Sequence, residues 1–229
     1  MTFNTQHCQN FLTGEIDFSA MADAIKKCGA DIVGLNEMRS KGSDPEYSDQ
    51  TAELSRLSGI ENHFFAKAID VGGKNPYGNA LLSKIKIVSA ERILIPDSTP
   101  KAENSGYETR CILKAKLEDG FTVLVTHFGL NPDEQENAVK SVLNALEDKK
   151  CILMGDFNVT PESPLLAPIR ERMNDASSLC KAPLLTFPSD EPKIKIDYIF
   201  VSSDIKVTGA DIPEIMVSDH RPHTAVIEI

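Results

Sequence analysis

Five apolar stretches of this 229-residue chain each meet a residue that can ionise or coordinate. "DIVGLNE" ends at Glu37, "FTVLVTH" at His127, and "CILMGDFN" at Asp156 and Asn158. Asp197 interrupts "KIDYIF", and Asp219 with His220 precede the terminal "HTAVIEI". Short runs dense in Val, Ile, Leu and Phe read as buried strands. Strand ends that carry carboxylates and imidazoles form, once gathered at one edge of the sheets, a cleft able to move protons and hold cations.

Further strands are predicted in "TFNTQH", "HFFAKAI", "NALLS", "KIVSAERILI" and "RCILKAKLE". Helices interrupt them at three places. "DFSAMADAIKKCGA" sets Phe18, Met21, Ile25 and Cys28 at helical spacing, with Asp17 as N-cap and Gly29 as stop. "SDQTAELSRLSG" is capped by Ser48 or Asp49 and stopped at Gly59, and "NPDEQENAVKSVLNALED" has Asn131 as cap and Pro132 at its first position. "PESPLLAPIRERM" is a proline-punctuated segment. Many strands at hairpin-like spacing, with helices that do not strictly alternate with them, predict an α/β (α+β) fold of face-to-face sheets covered by helices. No Pro/Gly/Ser linker divides the chain, so residues 1–229 are expected to form a single domain.

Composition narrows the functional classes. At 41% hydrophobic and 25% charged residues the chain is an ordinary globular protein. The start "MTFNTQHCQNF" has no basic segment leading into an apolar one, and no apolar run is long enough to span a bilayer, which predicts a cytoplasmic protein without a membrane span. A monomer is expected. The five cysteines are scattered without a CxxC pair and read as reduced thiols. The net charge of −10, from 34 acidic against 24 basic side chains, disfavours non-specific attraction to nucleic acid, although local basic patches remain open.

Taken singly, each candidate has a plain structural explanation. Glu37 serves as a solvated strand end, "GDFN" as an Asx turn, His127 as a hydrogen-bonded core histidine, and Asp197 as a partner of Lys193 or Lys195. His7 and His63 read as surface or core-edge imidazoles. Together they point to chemistry. Glu37 with Asn4 offers the hard oxygen ligands that Mg²⁺ or Mn²⁺ accepts. Two histidines can hold phosphate oxygens, and Asp197 can fix the tautomer of His220 and favour its imidazolium. Of Asp156 and Asn158, placed on one side by an extended backbone, one can take a proton from water while the other holds that water or the phosphate. The set describes metal-assisted hydrolysis of a phosphoester.

The ordered series "TFN", "ADIVGLNE", "YGNALLS", "ETR", "LVTHF", "ILMGDFN", "KIDYIFVS" and "SDHRP" resembles the endonuclease/exonuclease/phosphatase superfamily, the deoxyribonuclease-I-like fold. The resemblance runs from Thr2 to the last strand. It implies a four-layer sandwich, two packed mixed β-sheets flanked by helices, with the site at one end. It also implies that Asn4 and Glu37 hold Mg²⁺ (or Mn²⁺), with Asp219 close to the ion. Asp156 would orient or deprotonate the attacking water beside Asn158, His127 and His220 would contact the phosphate, and Asp197 would align His220. Arg110 of "ETR" matches an arginine near the phosphate, with an ordinary pair to Glu108 or Glu103 as the alternative. Asn79 is expected on the phosphate side as well, where some nuclease members carry a glutamate paired to the first histidine, so that His127 would be held differently here. The expected activity is a Mg²⁺-dependent phosphohydrolase acting on a phosphodiester or phosphomonoester; a nuclease on DNA or RNA and an inactive binding module on the same fold are the alternatives.

Overall fold

A computed structural model of the chain describes residues 1–101, 106–180 and 184–228. Twelve strands and four α-helices are present among them. The first half runs β1 (Thr2–Asn4), α1 (Phe18–Cys28), β2 (Ile32–Arg39), α2 (Gln50–Ser58), β3 (Asn62–Val71), β4 (Asn75–Ser83) and β5 (Ile87–Leu94). The second runs β6 (Cys111–Leu117), β7 (Thr122–His127), α3 (Pro132–Ala145), β8 (Cys151–Asp156), α4 (Ala167–Arg170), β9 (Met173–Asp175), β10 (Asp197–Ser202), β11 (Lys206–Asp211) and β12 (Thr224–Glu228).

Local chemistry explains the helix ends. Asp17 accepts from the Ala20 amide at 2.9 Å and Gly29 closes α1 with a φ of +65°. Asp49, rather than Ser48, caps α2 by accepting from the Ala52 amide at 3.1 Å. At the start of α3, Glu134 reaches back to the Asn131 amide at 3.2 Å, behind Pro132 in the first turn.

The strands form a four-stranded sheet ordered β1-β2-β4-β3 and a six-stranded sheet ordered β5-β6-β7-β8-β10-β9. Both are mixed, because β1 runs parallel to β2 and β7 parallel to β8 while their other pairings are antiparallel. The hairpin β11-β12 joins β1 through two backbone hydrogen bonds between Thr2 and His223. Three apolar clusters define four layers. Leu81, Leu113, Val123, Val125, Met154 and Val201 pack between the sheets. Met21, Ile25 and Leu54 of α1 and α2 cover Leu35 and Met38 on one outer face. Val142 and Ile169 of α3 and α4 cover Phe128, Phe157 and Phe200 on the other. Burying each such side chain contributes about 1.5–3 kcal/mol, and the clusters fix which end of every strand meets which.

Two differences from the sequence reading concern β1 and Asn158. The segment "TFNTQH" is a strand only to Asn4, after which Gln6–Cys8 turn with positive φ at all three positions. Asn158 has a φ of +51°, so "GDFN" is not extended throughout. Gly155 is the position where backbone freedom is required. Its φ is +147°, and a Cβ there would lie 1.8 Å from the Thr126 carbonyl oxygen of the neighbouring strand. Gly155→Ala is therefore expected to cost at least about 2 kcal/mol of stability, read as a lower midpoint in urea unfolding. No helix among the described residues is long and apolar enough to cross a membrane. The five cysteines carry free thiols.

Candidate active site

Register brings the polar strand ends together. Asp156 at the end of β8 lies directly across from His127 on β7 and from Asp197 on β10, so three neighbouring strands of one sheet present an imidazole and two carboxylates in a row, with Asp156 in the middle. On the facing sheet Asn4 of β1 pairs with Asn36 of β2, one residue before Glu37. A bulge in β2 gives Glu37 a φ of +61° and turns its side chain to the same end of the sandwich. Asn4 crosses the gap, donating to Glu37 Oε1 at 3.1 Å and to Asp156 Oδ2 at 3.0 Å.

Asp156 is the centre. It is 1% exposed, and its Oδ2 lies 3.6 Å from both His127 Nε2 and His220 Nε2, while Oδ1 accepts from the Asn158 amide at 2.9 Å. Burial raises its carboxyl to about 7, against the lowering influence of His220. His220 Nδ1 lies 2.9 Å from Asp197 Oδ2, and Phe187 packs on its ring at 4.8 Å between centroids. Burial pushes the His220 ring down, but Asp197 and Asp156 outweigh it and raise it to about 10. Neither Lys193 nor Lys195 takes Asp197 as its ion-pair partner; they lie against Glu191 and Asp175.

His127 is the opposite case. Burial, with Arg110 and His220 adding to it, holds its pKa well below the ordinary histidine value. Arg110 Nη1 lies 3.1 Å from Nδ1, and a guanidinium only donates, so Nδ1 is the acceptor and the ring proton sits on Nε2, on the Asp156 side. Asn158 Nδ2 lies 3.2 Å from the same Nε2, a contact between two N–H groups that is no hydrogen bond in this tautomer, and donates to the Phe128 carbonyl at 3.0 Å. The site thus holds one imidazolium and one neutral imidazole, set apart by their neighbours.

Arg110 also meets Glu108 Oε1 at 3.0 Å, so the two readings of "ETR" coexist: a pair with Glu108 and a place against His127. Glu103 lies outside the described residues. Asn79 is a correction. It is 2% exposed, donates to the Cys111 carbonyl at 2.9 Å and accepts from Asn36 at 2.8 Å, which leaves it supporting the site from beneath rather than facing a phosphate. Asn36, which the sequence does not single out, is a hub: it donates to the Thr126 carbonyl at 2.8 Å and accepts from the Asp156 amide at 3.0 Å. Its signal was two adjacent polar residues at the end of an apolar strand, of which only one can face solvent.

The donors suit a divalent cation. Glu37 and Asp219 have no Lys or Arg ion pair among the described residues, and burial with the charge of Glu37 raises the Asp219 carboxyl. Two carboxylates without a basic partner, beside the Asn4 amide, are hard oxygen donors whose mutual repulsion a cation removes. Asp156, Asp197 and His220 form a second group, with ligand atoms within 4.8 Å of one another. There a ring kept protonated by its carboxylates has no free lone pair for a metal.

Two facing mixed sheets between helices, with carboxylates, amides and imidazoles gathered at one end, define the deoxyribonuclease-I-like class of sandwich. The chain belongs to the Endonuclease/Exonuclease/phosphatase family, whose model matches residues 1–220. The family's members are hydrolases of phosphoester bonds, and this chain is one of them. Solved structures with the same fold include an endonuclease/exonuclease/phosphatase from Beutenbergia cavernae DSM 12333, at 20% identity and a TM-score of 0.80 over 100% of this chain and 70% of that one. A mannosyl-6-phosphatase from Bacteroides thetaiotaomicron VPI-5482 aligns at 18% identity and a TM-score of 0.75 over 93% of this chain and 90% of that one. The human Nocturnin catalytic domain aligns at 19% identity and a TM-score of 0.60 over 90% of this chain and 85% of that one. No curated protein matches the sequence.

Proposed function

We propose that the chain is a Mg²⁺- or Mn²⁺-dependent phosphohydrolase that cleaves a small phosphodiester or phosphomonoester by in-line attack of water. The observation that carries this reading is the Asp156 carboxylate, held between Asn4 and two histidines of opposite protonation state.

In this reading Asn4, Glu37 and Asp219 hold the cation, which when bound neutralises charge on a phosphoryl oxygen. Asp156, raised to about 7, accepts a proton from the attacking water, and Asn158 orients that water or the phosphate. His220 donates from Nε2 to a phosphoryl oxygen while Asp197 fixes its ring through Nδ1. His127 offers its Nε2 proton to the same phosphate, and Arg110, behind it, holds the tautomer and adds positive charge.

Activity should follow a bell in pH. A base must be ionised, so the rate rises as pH passes about 7; an acid must be protonated, so it falls as pH approaches about 10. A profile of kcat/KM that rises monotonically beyond pH 10 would remove His220 as a required imidazolium.

The reading is tested by assaying the purified chain with p-nitrophenyl phosphate, bis-p-nitrophenyl phosphate and plasmid DNA, each with Mg²⁺ or Mn²⁺ and with EDTA. Hydrolysis of a small ester that EDTA abolishes is expected. Plasmid nicking at comparable efficiency would instead establish a nuclease, and silence on all three substrates would favour an inactive binding module.

A further inference from the structure

His7 stands beside the cation ligands, on a piece of backbone held there deliberately. Gln6, His7 and Cys8 follow Asn4 with φ of +48°, +48° and +63°. Consecutive left-handed residues other than glycine are unfavourable and persist only where the surroundings hold them. Here two side-chain bonds help to do so, beside the backbone bonds from the Cys8 amide to the Thr5 carbonyl and from the Gln9 amide to the Gln6 carbonyl, both at 2.9 Å. The Gln6 amide donates to Asn4 Oδ1 at 3.1 Å, and Gln50 Nε2 donates to the His7 carbonyl at 2.7 Å.

Gln50 is 0% exposed, and its Oε1 accepts from the Arg39 amide at 2.8 Å. One buried amide therefore ties His7 to the strand two residues beyond Glu37. The result is that His7 Nδ1 lies 4.0 Å from Glu37 Oε2, with both side chains about a quarter exposed. That separation is too long for a hydrogen bond. It leaves Nδ1 and Oε2 near enough for one ion to take both as ligands after a side-chain shift of about 1 Å.

We propose that His7 supplies a nitrogen ligand to the divalent cation held at Glu37, and that this donor makes the site favour manganese or another first-row transition ion over magnesium. The proposal rests on the reading of Glu37 as a cation ligand. Magnesium prefers oxygen and water throughout its shell, whereas imidazole raises affinity for transition ions.

The probe is manganese(II) added to the purified full chain. Electron spin echo envelope modulation detects nitrogen bound directly to the ion, and calorimetric titration compares manganese with magnesium. His7→Asn is the first variant, because asparagine accepts left-handed φ readily. It is expected to lose the nitrogen modulation and to bind manganese about tenfold more weakly or worse, with magnesium changed by less than about twofold. His7→Gln repeats the measurement with the side chain that Gln6 already carries in this turn.

Labelling histidine with ¹⁵N in the unsubstituted chain gives the same answer without a variant: a modulation that does not change with the isotope overturns the assignment. Unchanged modulation and affinity in either variant, with Glu37→Gln still releasing the ion, overturns His7 and leaves Glu37 as a ligand. Manganese held as tightly by Glu37→Gln as by the unsubstituted chain overturns the reading of Glu37, and His7 with it.

Discussion

Asp156→Asn lowers kcat by at least about two orders of magnitude, the usual loss when a positioned acid or base is removed, while circular dichroism shows the fold retained. The substitution keeps the size of the side chain but turns one carboxylate oxygen into an NH₂ group. An asparagine side chain has the same shape and still accepts from the Asn158 amide through its oxygen, the contact made at 2.9 Å in the native chain. What it lacks is the ability to receive a proton, the negative charge that faces His220 Nε2 across 3.6 Å, and the Oδ2 acceptor that takes the Asn4 amide at 3.0 Å. Stopped assays over a pH series separate these losses. Removal of the base abolishes the rising limb near pH 7, whereas a merely weakened binding site would raise KM and leave that limb in place. Activity within tenfold of the native chain would show that another group deprotonates the water.

His220→Ala is expected to cost a similar factor, again about 10²-fold or more. Two roles go with the ring. The proton donor of the proposed mechanism is lost, and Asp197 is left as a buried carboxylate, 0% exposed, without its 2.9 Å partner. An uncompensated buried charge is itself destabilising by several kcal/mol, so the variant should also unfold at lower urea. The companion Asp197→Asn separates catalysis from stability. It leaves a neutral side chain against the ring and removes the carboxylate that, with Asp156, lifts His220 to about 10 against its burial. Its expected signature is a falling limb of the pH profile moved to lower pH. In the double variant the losses should not add, because Asp197 acts through His220. Fully additive losses would mean that Asp197 contributes by some other route.

Much of this arrangement is readable in the chain itself, for identifiable reasons. A strand buried on both faces has few places for a polar side chain except its end, so Glu37, His127, Asp156 and Asp197 stand out against apolar runs. Capping residues are equally visible, because Asp17 and Asp49 each satisfy an amide that their own helix leaves free. Short edge elements are not. β9 has three residues inside a proline-punctuated stretch, and β11 contains Gly209 at a bulge; neither shows the alternation that marks a strand. Their existence depends on pairing with distant partners.

The supporting residues escape for a different reason. Asn36, Asn79 and Gln50 carry amides that look like surface groups in a sequence, yet all three are buried. Their importance lies in pairs separated by tens of residues, such as Asn36 with Asp156, which no local pattern encodes. His7 looks peripheral in the sequence because nothing in "NTQHCQ" announces a left-handed turn: it contains no glycine. Gln50 and Asn4 help the local backbone bonds to hold the turn.

Asn4 belongs to one sheet and Asp156 to the other, and their 3.0 Å hydrogen bond spans the seam beside the two that Asn36 makes across it to Asp156 and Thr126. Under the proposed mechanism, turnover is therefore a gauge of interlayer alignment. A slip of an ångström between the two slabs, too small to alter helix or strand content, would part the halves of the chemistry while leaving each half intact.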